Sequence, residues 1–116
     1  MLPSKRKIGK KLEEMIAQYL REWGDKNARP TKASGGGNST EIEDILSSYF
    51  YCQAKVNRAT ENINIKYKDW VKMLNNMPIT TMKLPLFFYE NKAGKIFVVC
   101  NIKDFFKRLL RKPEDL

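Results

Sequence analysis

The chain has 116 residues, of which 42% are hydrophobic and 30% are charged, as is typical of a single globular domain with a real core. Its 22 lysines and arginines outnumber 13 acidic residues, and the net charge of +9 favours a polyanionic partner, nucleic acid ahead of an acidic membrane. No apolar run could span a bilayer, and the basic start lacks the apolar core of a signal peptide, so we expect a soluble cytoplasmic protein.

The chain contains no histidine and two cysteines, Cys52 and Cys100. The lack of histidine excludes a Cys/His zinc site and the Ser-His-Asp and Cys-His forms of catalysis. The two cysteines lie in separate apolar strand patterns, so we predict buried, reduced thiols.

The first predicted element is an amphipathic helix. Apolar residues recur at steps of three and four from Ile8 to Trp23, with Ser4 suited to the N-cap and Gly24 to the C-terminal stop. The helix begins with basic residues, and we predict DNA contacts from three of them: Lys5, Arg6 and Lys7.

Two acids follow on the same helix. Glu13 lies one turn beyond Gly9, at the edge of the apolar stripe, and Glu14 is the alternative acid one step round. A glycine at this point allows another group to approach the helix closely, although it costs about 1 kcal/mol relative to alanine.

The segment from 24 to 40 is the loosest part of the sequence. We predict a short edge strand over Asn27–Thr31, limited by Pro30, and a flexible glycine-rich loop at about 33–40. Glycine amides and small hydroxyls beside a metal site can contact a phosphate backbone. We therefore predict DNA contacts here, from Arg29, Lys32 and Ser34.

The most informative stretch runs from 43 to 56 and predicts a hairpin that turns at Ser47-Ser48. With a two-residue turn, Asp44 pairs with Tyr51, and Gln53 and Lys55 share its face of the sheet. Diagonal cross-strand neighbours lie roughly 7–8 Å apart at the backbone, close enough for two side chains to reach one cation. A three-residue turn would break this arrangement, and Ser-Ser is not a preferred two-residue turn.

An acid, an amide oxygen and a lysine on one face suit metal-assisted hydrolysis of a phosphodiester. Mg²⁺ takes carboxylate, amide and backbone carbonyl oxygens, and a lysine can orient the attacking water and offset developing charge. Asp44 followed by Gln53-Ala54-Lys55 resembles the motif of PD-(D/E)XK nucleases. Gln53 replaces the usual acid, and no proline precedes Asp44.

The remaining pattern predicts the rest of the fold. A helix carries Ile65, Tyr67, Trp70, Val71 and Leu74 and ends before Pro78; its lysines, Lys66, Lys68 and Lys72, are predicted to be solvated. Strands over Leu84–Glu90, with Pro85 at its start or edge, and Lys95–Cys100 are joined by a turn, and a last helix capped by Asn101 follows, to pack on the sheet or on a second subunit. We predict a single α/β domain over 1–116 with a mixed central sheet flanked by helices, an order similar to that of restriction-endonuclease-like nucleases.

Within that superfamily the chain is similar to the small archaeal-type and phage Holliday junction resolvases, because Gly9-x-x-x-Glu13 resembles their first-helix signature and Arg29 with Ser34 their loop before the catalytic aspartate. The resemblance implies a homodimer that cuts four-way DNA junctions with Mg²⁺, or with Mn²⁺ as an alternative, in the host cytoplasm if phage-encoded. It implies that metal is bound by Asp44, Gln53, the Ala54 carbonyl and Glu13, and that Lys55 positions the nucleophilic water.

Two other functions compete with this interpretation. One is a different repair or restriction-like nuclease on the same fold, because a fold does not fix a substrate. The other is a non-catalytic basic nucleic-acid-binding protein in which Gln53 marks a decayed site.

Overall fold

The computed structural model describes residues 5–31 and 43–110, with the side chains of 5–7 left out. The elements in chain order are α1 (Lys5–Trp23), β1 (Arg29–Pro30), β2 (Ile45–Leu46), β3 (Phe50–Val56), α2 (Tyr67–Asn76), β4 (Leu84–Glu90), β5 (Ile96–Val99) and α3 (Ile102–Asp104), which continues as a π-helical turn over Phe105–Leu109. The five strands form one sheet in the order β1-β2-β3-β4-β5. Only β3 and β4 are parallel; the other neighbouring pairs are antiparallel. The predicted mixed α/β class is confirmed.

Helix α1 supplies the main core of the protein. Leu12 and Ile16 are each 1% exposed and pack with Cys52 of β3 and Leu86 of β4. Burial of each such side chain stabilises the fold by roughly 1.5–3 kcal/mol. The helix ends as predicted at Gly24, whose φ of +131° suits glycine.

The last turn of α1 departs from the prediction. Tyr19 and Trp23 belong to the predicted apolar stripe, yet both side chains are mainly exposed. The Trp23 ring contacts Tyr49 and Phe50 at the hairpin turn, with centroid separations of 5.5 Å to each. Tyr19 and Trp23 both line a groove between α1, the sheet and the last helical segment, so their outer surfaces stay open to solvent.

The hairpin forms, but the predicted pairing of Asp44 with Tyr51 is wrong. Leu46 pairs with Tyr51 and Ile45 with Cys52, so the strands are joined by a loop longer than two residues. The shift is two positions, which preserves side-chain parity. Asp44 therefore keeps its predicted face although its backbone neighbour differs.

A buried acid explains the longer turn. Asp25 is 2% exposed, and its Oδ2 accepts hydrogen bonds from the Ser47 hydroxyl at 2.5 Å and the Ser48 amide at 3.0 Å. The Ser47 Oγ accepts in turn from the amides of Tyr49 and Phe50, both at 3.1 Å. These side-chain contacts replace the left-handed residues that a tight hairpin turn requires.

Strand β4 is buried along its whole length between β3 and β5. Pro85 is its second residue, and β5 pairs only from Phe87 onward, so the proline meets no partner on that side. The predicted turn after β4 is confirmed, with Gly94 at a φ of +77°.

Helix α2 covers the other face, and its predicted apolar stripe is confirmed only in part: Ile65 and Trp70 pack against the sheet, but the buried residue of the helix is Met73, which was not predicted. Met73 is 1% exposed and packs with Tyr51 and Phe87, whereas Tyr67 and Leu74 point outward. Met73 therefore provides the buried contact between α2 and the aromatic side chains of β3 and β4.

The chain closes on an exposed helical segment. The Asn101 side chain accepts a hydrogen bond of 2.9 Å from the Lys103 amide, which confirms the predicted cap. Ile102, Phe106 and Leu110 remain more than half exposed. Both cysteines are free thiols, Cys52 buried and Cys100 half-buried. Across the described ranges, no helix has the length and apolar character needed to cross a membrane.

Candidate active site

The candidate site lies just before the first residue of β2, where pairing with β3 stops and β3 continues along that edge without β2. The ladder between these strands stops at Ile45 and Cys52, so the backbone of β3 beyond Cys52 needs other partners. Asp44 supplies one: its Oδ2 accepts a hydrogen bond from the Ala54 amide at 2.8 Å. The Asp44 amide itself donates to the Cys52 carbonyl at 3.0 Å, which fixes the acid at this point.

Gln53 completes the contact with Asp44. Its Nε2 donates to the same Oδ2 at 2.7 Å. Because the amide uses its nitrogen for Asp44, its carbonyl oxygen is left to accept a proton or bind a cation. The structure therefore joins the two predicted metal ligands of the hairpin directly.

Burial raises the pKa of Asp44, and the hydrogen bond from the Ala54 amide offsets part of the rise. The ionised carboxylate thus lies in an environment that penalises its charge. A cation beside it would relieve this penalty, because an opposite charge favours the ionised form.

Lys55 lies two residues further along β3 and on the same face as Gln53. Its Nζ is 3.4 Å from Oδ2 of Asp69, in the first turn of α2. Lys55, Asp69 and Gln53 line one cavity of about 290 Å³, together with Lys72, Met73, Asn76, Phe87 and Ala54. The lysine is therefore placed beside the amide, but its nearest acid comes from the helix.

A second acid and a lysine flank the entrance to β2. The Glu43 carboxylate accepts a hydrogen bond from Lys83 Nζ at 3.1 Å. Tyr51, on the face of β3 that carries Gln53, is fully buried, and no described residue pairs with its hydroxyl. Burial, together with the charges of Glu43 and Asp44, raises the pKa of Tyr51 to about 12.

The structure separates the two candidate acids of α1. Glu13 is buried at 8% exposure, whereas Glu14 is exposed and pairs with Arg21 at 3.1 Å. The neighbours of Glu13 in the helix pack on the sheet face that carries Cys52, and Gln53 and Lys55 line the opposite face. The predicted role of Glu13 as a metal ligand stays a prediction.

The oxygen donors present suit a hard cation. Asp44 offers a carboxylate and Gln53 an amide oxygen, whereas the described contact of Ala54 uses its amide and leaves its predicted carbonyl role a prediction. The buried Tyr51 hydroxyl fits such a site, because orphaned buried polar groups are normally satisfied by water or an ion. Within residues 8–31 and 43–110, no three acids or cysteines are grouped to hold a metal, so a cation here would keep several waters.

The predicted DNA contacts are only partly described. Arg29 is exposed in β1, and its guanidinium donates to the Pro30 carbonyl at 3.3 Å. Lys32 and Ser34 lie outside the described residues, and so does the predicted glycine-rich loop. The other three predicted DNA contacts lie in the first turn of α1, and their side chains are outside the described part of the structure: Lys5, Arg6 and Lys7.

Comparison of the chain with family models, curated proteins and solved structures gives no match. The chemistry of the site therefore depends on its own geometry.

Sequence reasoning missed three residues of the site as functional groups: Asp69, Lys72 and Lys83. Asp69 precedes the buried Met73 by four residues, so the two share a helix face. This spacing gave no indication of Asp69 in the sequence, because the apolar stripe predicted for α2 did not include Met73. Lys83 carried no signal, since its partner Glu43 is 40 positions away in the chain.

Proposed function

We propose that this protein is a metal-dependent, structure-selective DNA endonuclease that resolves four-way junctions by hydrolysis of phosphodiester bonds. The observation that carries the proposal is the convergence of Asp44, Gln53 and Lys55 on one face of the sheet, with Asp44 and Gln53 2.7 Å apart. An acid, an oxygen donor and a lysine in this order match the resemblance to PD-(D/E)XK nucleases. The net charge of +9 suits a DNA partner.

The residues of the chain have separable roles in this proposal. Asp44 and Gln53 would hold Mg²⁺, or Mn²⁺ in its place, through oxygen atoms, with the Ala54 carbonyl and Glu13 as further candidates. The bound cation would polarise the phosphate and offset charge that develops during the reaction.

The Lys55 ammonium orients a water toward the phosphorus and stabilises negative charge on the phosphate oxygens. The Ala54 amide and the Gln53 side chain keep the Asp44 carboxylate in place during that step.

Basic residues around the cavity support DNA binding at this face. Lys72 lines the cavity, and Lys66 and Lys68 are exposed on the same helix. Their charges would contact phosphates on either side of the bond that is cut.

We propose that the active unit is a homodimer. Ile102, Phe106 and Leu110 expose apolar surface on the last helical segment, and a groove of about 740 Å³ lies between that segment, α1 and the sheet. Contiguous apolar surface of this kind commonly marks a protein–protein interface. Light scattering should give twice the chain mass for wild type and a lower mass for Phe106→Asp.

The test of function is cleavage of a labelled immobile four-way junction and of a matched linear duplex, with Mg²⁺, Mn²⁺ or EDTA. Wild type should nick opposed arms of the junction only with metal. Lys55→Ala and Asp44→Asn should lower cleavage by at least about 100-fold while junction binding persists. Lys92→Ala is the matched control, because it removes an exposed lysine that lies in the turn between β4 and β5, outside the cavity.

Other outcomes would assign a different function. Cleavage of flaps or nicked duplex in preference to junctions would indicate another nuclease on this fold. Salt-sensitive binding without cleavage under either metal would indicate a nucleic-acid-binding protein, which the neutral Gln53 favours as the second candidate.

A further inference from the structure

The acid nearest to the proposed catalytic lysine comes from α2 and not from the hairpin. Asp69 Oδ2 lies 3.4 Å from Lys55 Nζ, and both side chains line the cavity that also contains Gln53. Met73, four residues after Asp69, is buried against the sheet, so the helix holds this acid over β3.

The hairpin alone provides one carboxylate to a cation. Gln53 is neutral where the motif that the chain resembles has an acid, and Glu43 already pairs with Lys83 at 3.1 Å, so Asp44 is the carboxylate that the described hairpin leaves for a cation. Protein sites bind Mg²⁺ through one or two carboxylates together with waters and substrate phosphates, so a second carboxylate would be a usual addition to Asp44. Asp69 is the described acid that shares a cavity with Gln53.

The contact between Lys55 and Asp69 has the character of a loose ion pair. Its separation of 3.4 Å exceeds the usual 2.7–2.9 Å of a charge-assisted hydrogen bond, and the side chains are 41% and 30% exposed. Exposed ion pairs contribute little to stability, so Asp69 can exchange the ammonium for another cation at little cost. The pair of Arg58 with Glu90, at 2.7 Å and with the acid 8% exposed, is the contrasting structural case.

An independent feature points to a ligand between Asp44 and α2. The Tyr51 hydroxyl is buried without a hydrogen-bond partner among the described residues. Its ring packs against Met73, so the hydroxyl belongs to the same layer between sheet and helix. The hydration shell of a cation held there would supply its missing partner.

We propose that Asp69 is the second carboxylate ligand of the metal site, and that it supplies from α2 the charge that Gln53 does not carry. In the metal-free protein the Lys55 ammonium neutralises Asp69. When the cation binds, Asp69 turns to it and Lys55 is released toward the phosphate. This inference rests on the proposed nuclease function for its catalytic consequence, but the metal-binding statement can be tested alone.

The decisive experiment removes the negative charge of Asp69 and restores one at position 53 of β3. Mn²⁺ is titrated into wild type, Asp69→Asn and the double variant Asp69→Asn/Gln53→Glu, with free Mn²⁺ followed by electron paramagnetic resonance. We expect Asp69→Asn to weaken Mn²⁺ binding by about 10-fold or more and the double variant to recover most of that loss. The Mg²⁺ concentration for half-maximal junction cleavage should follow the same order.

The matched control is Asp104→Asn, which removes another helix acid in a loose pair, 3.8 Å from Arg108 and outside the cavity. It should leave Mn²⁺ affinity unchanged. Lys55→Ala provides a test that leaves Asp69 intact: removal of the competing ammonium should tighten Mn²⁺ binding.

Unchanged Mn²⁺ affinity in Asp69→Asn, or no recovery in the double variant, would overturn the assignment. Weaker Mn²⁺ binding in Lys55→Ala would overturn it as well. If Mn²⁺ binds through Asp69 but wild type cuts no DNA, the proposed function fails while the metal ligand stands.

Discussion

The sheet face under α1 is apolar, with a packed core beside an apolar groove, whereas the face under α2 carries charged side chains around its cavity. On the first face Ile16 and Cys52 are at most 1% exposed, and both belong to one continuous core. On the second face the Lys55 and Asp69 side chains are 41% and 30% exposed beside a cavity of about 290 Å³. The difference indicates that one face holds the fold together while the other is free to bind a ligand.

The largest expected contrast comes from one substitution on each face. Ile16→Ala should lower the free energy of unfolding by about 2–5 kcal/mol, because it leaves a cavity in the core. Lys55→Ala should change it by less than about 1 kcal/mol, because it removes only an exposed ion pair. Urea denaturation followed by fluorescence measures both values.

The activities should show the reverse order. Below the unfolding transition, Ile16→Ala should retain junction cleavage per folded molecule, whereas Lys55→Ala should lose it. If Lys55→Ala unfolds as readily as Ile16→Ala, both faces contribute equally to stability, and the proposed division into a stabilising face and a catalytic face is wrong.

Sequence patterns predicted the apolar face more fully than the polar one. Steps of three and four placed Leu12 and Ile16 of α1 in the core because burial is decided by local periodicity. The same reasoning was less complete for α2: Trp70 packs against the sheet as expected, but Met73 is buried in place of Leu74, because contacts with the aromatic side chains of the sheet cannot be read from local periodicity.

The site was predicted in its strands and missed in its helix. Strand parity correctly put Asp44 and Gln53 on one face, since the two-position shift in register leaves parity intact. Neither the role of Asp25 in the turn nor the contact between Lys55 and Asp69 could be predicted, because both join segments whose relative position depends on the folded chain.

An intermediate effect is expected at the turn that links the two faces. Asp25→Ala should lower the free energy of unfolding by about 1–3 kcal/mol, because Ser47 and Ser48 lose a buried acceptor. It should also reduce cleavage, since the turn sets the position of Asp44. Thermal unfolding and the junction assay measure the two effects.

Asp25→Asn is the matched control for the turn. Both hydrogen bonds go to a single oxygen, which an amide can supply. This variant should keep most of the stability and activity, and equal losses in the two variants would show that the charge matters rather than the acceptor.

A smaller effect should appear in the pH dependence of stability. Burial raises the pKa of Asp44 above its ordinary 3.8, so the folded state binds a proton more tightly than the unfolded state does. The free energy of unfolding of wild type should therefore fall, relative to Asp44→Asn, as pH rises from about 3.8 through the raised pKa, and then level off.

Urea titrations of both proteins across this pH range, in EDTA, measure the difference. Mg²⁺ should then stabilise wild type more than Asp44→Asn near neutral pH, since a bound ligand stabilises the state that binds it. A free energy of unfolding of wild type that rises relative to Asp44→Asn across this pH range would contradict burial as the dominant cause.

The smallest expected effect is a difference in the chemical labelling of the two cysteines. Burial raises the pKa of the Cys52 thiol to about 12 on the sheet face under α1, whereas Cys100 lies half-buried beyond β5. Iodoacetamide should therefore label Cys100 in the native protein, and Cys52 only through unfolding, because the reagent needs both access and a thiolate.

In Cys100→Ser, labelling of Cys52 should speed up when Ile16→Ala is added and stay unchanged with Lys55→Ala. Equal acceleration by both substitutions would show that opening of the α2 face also exposes the core, so that the two faces unfold as one unit.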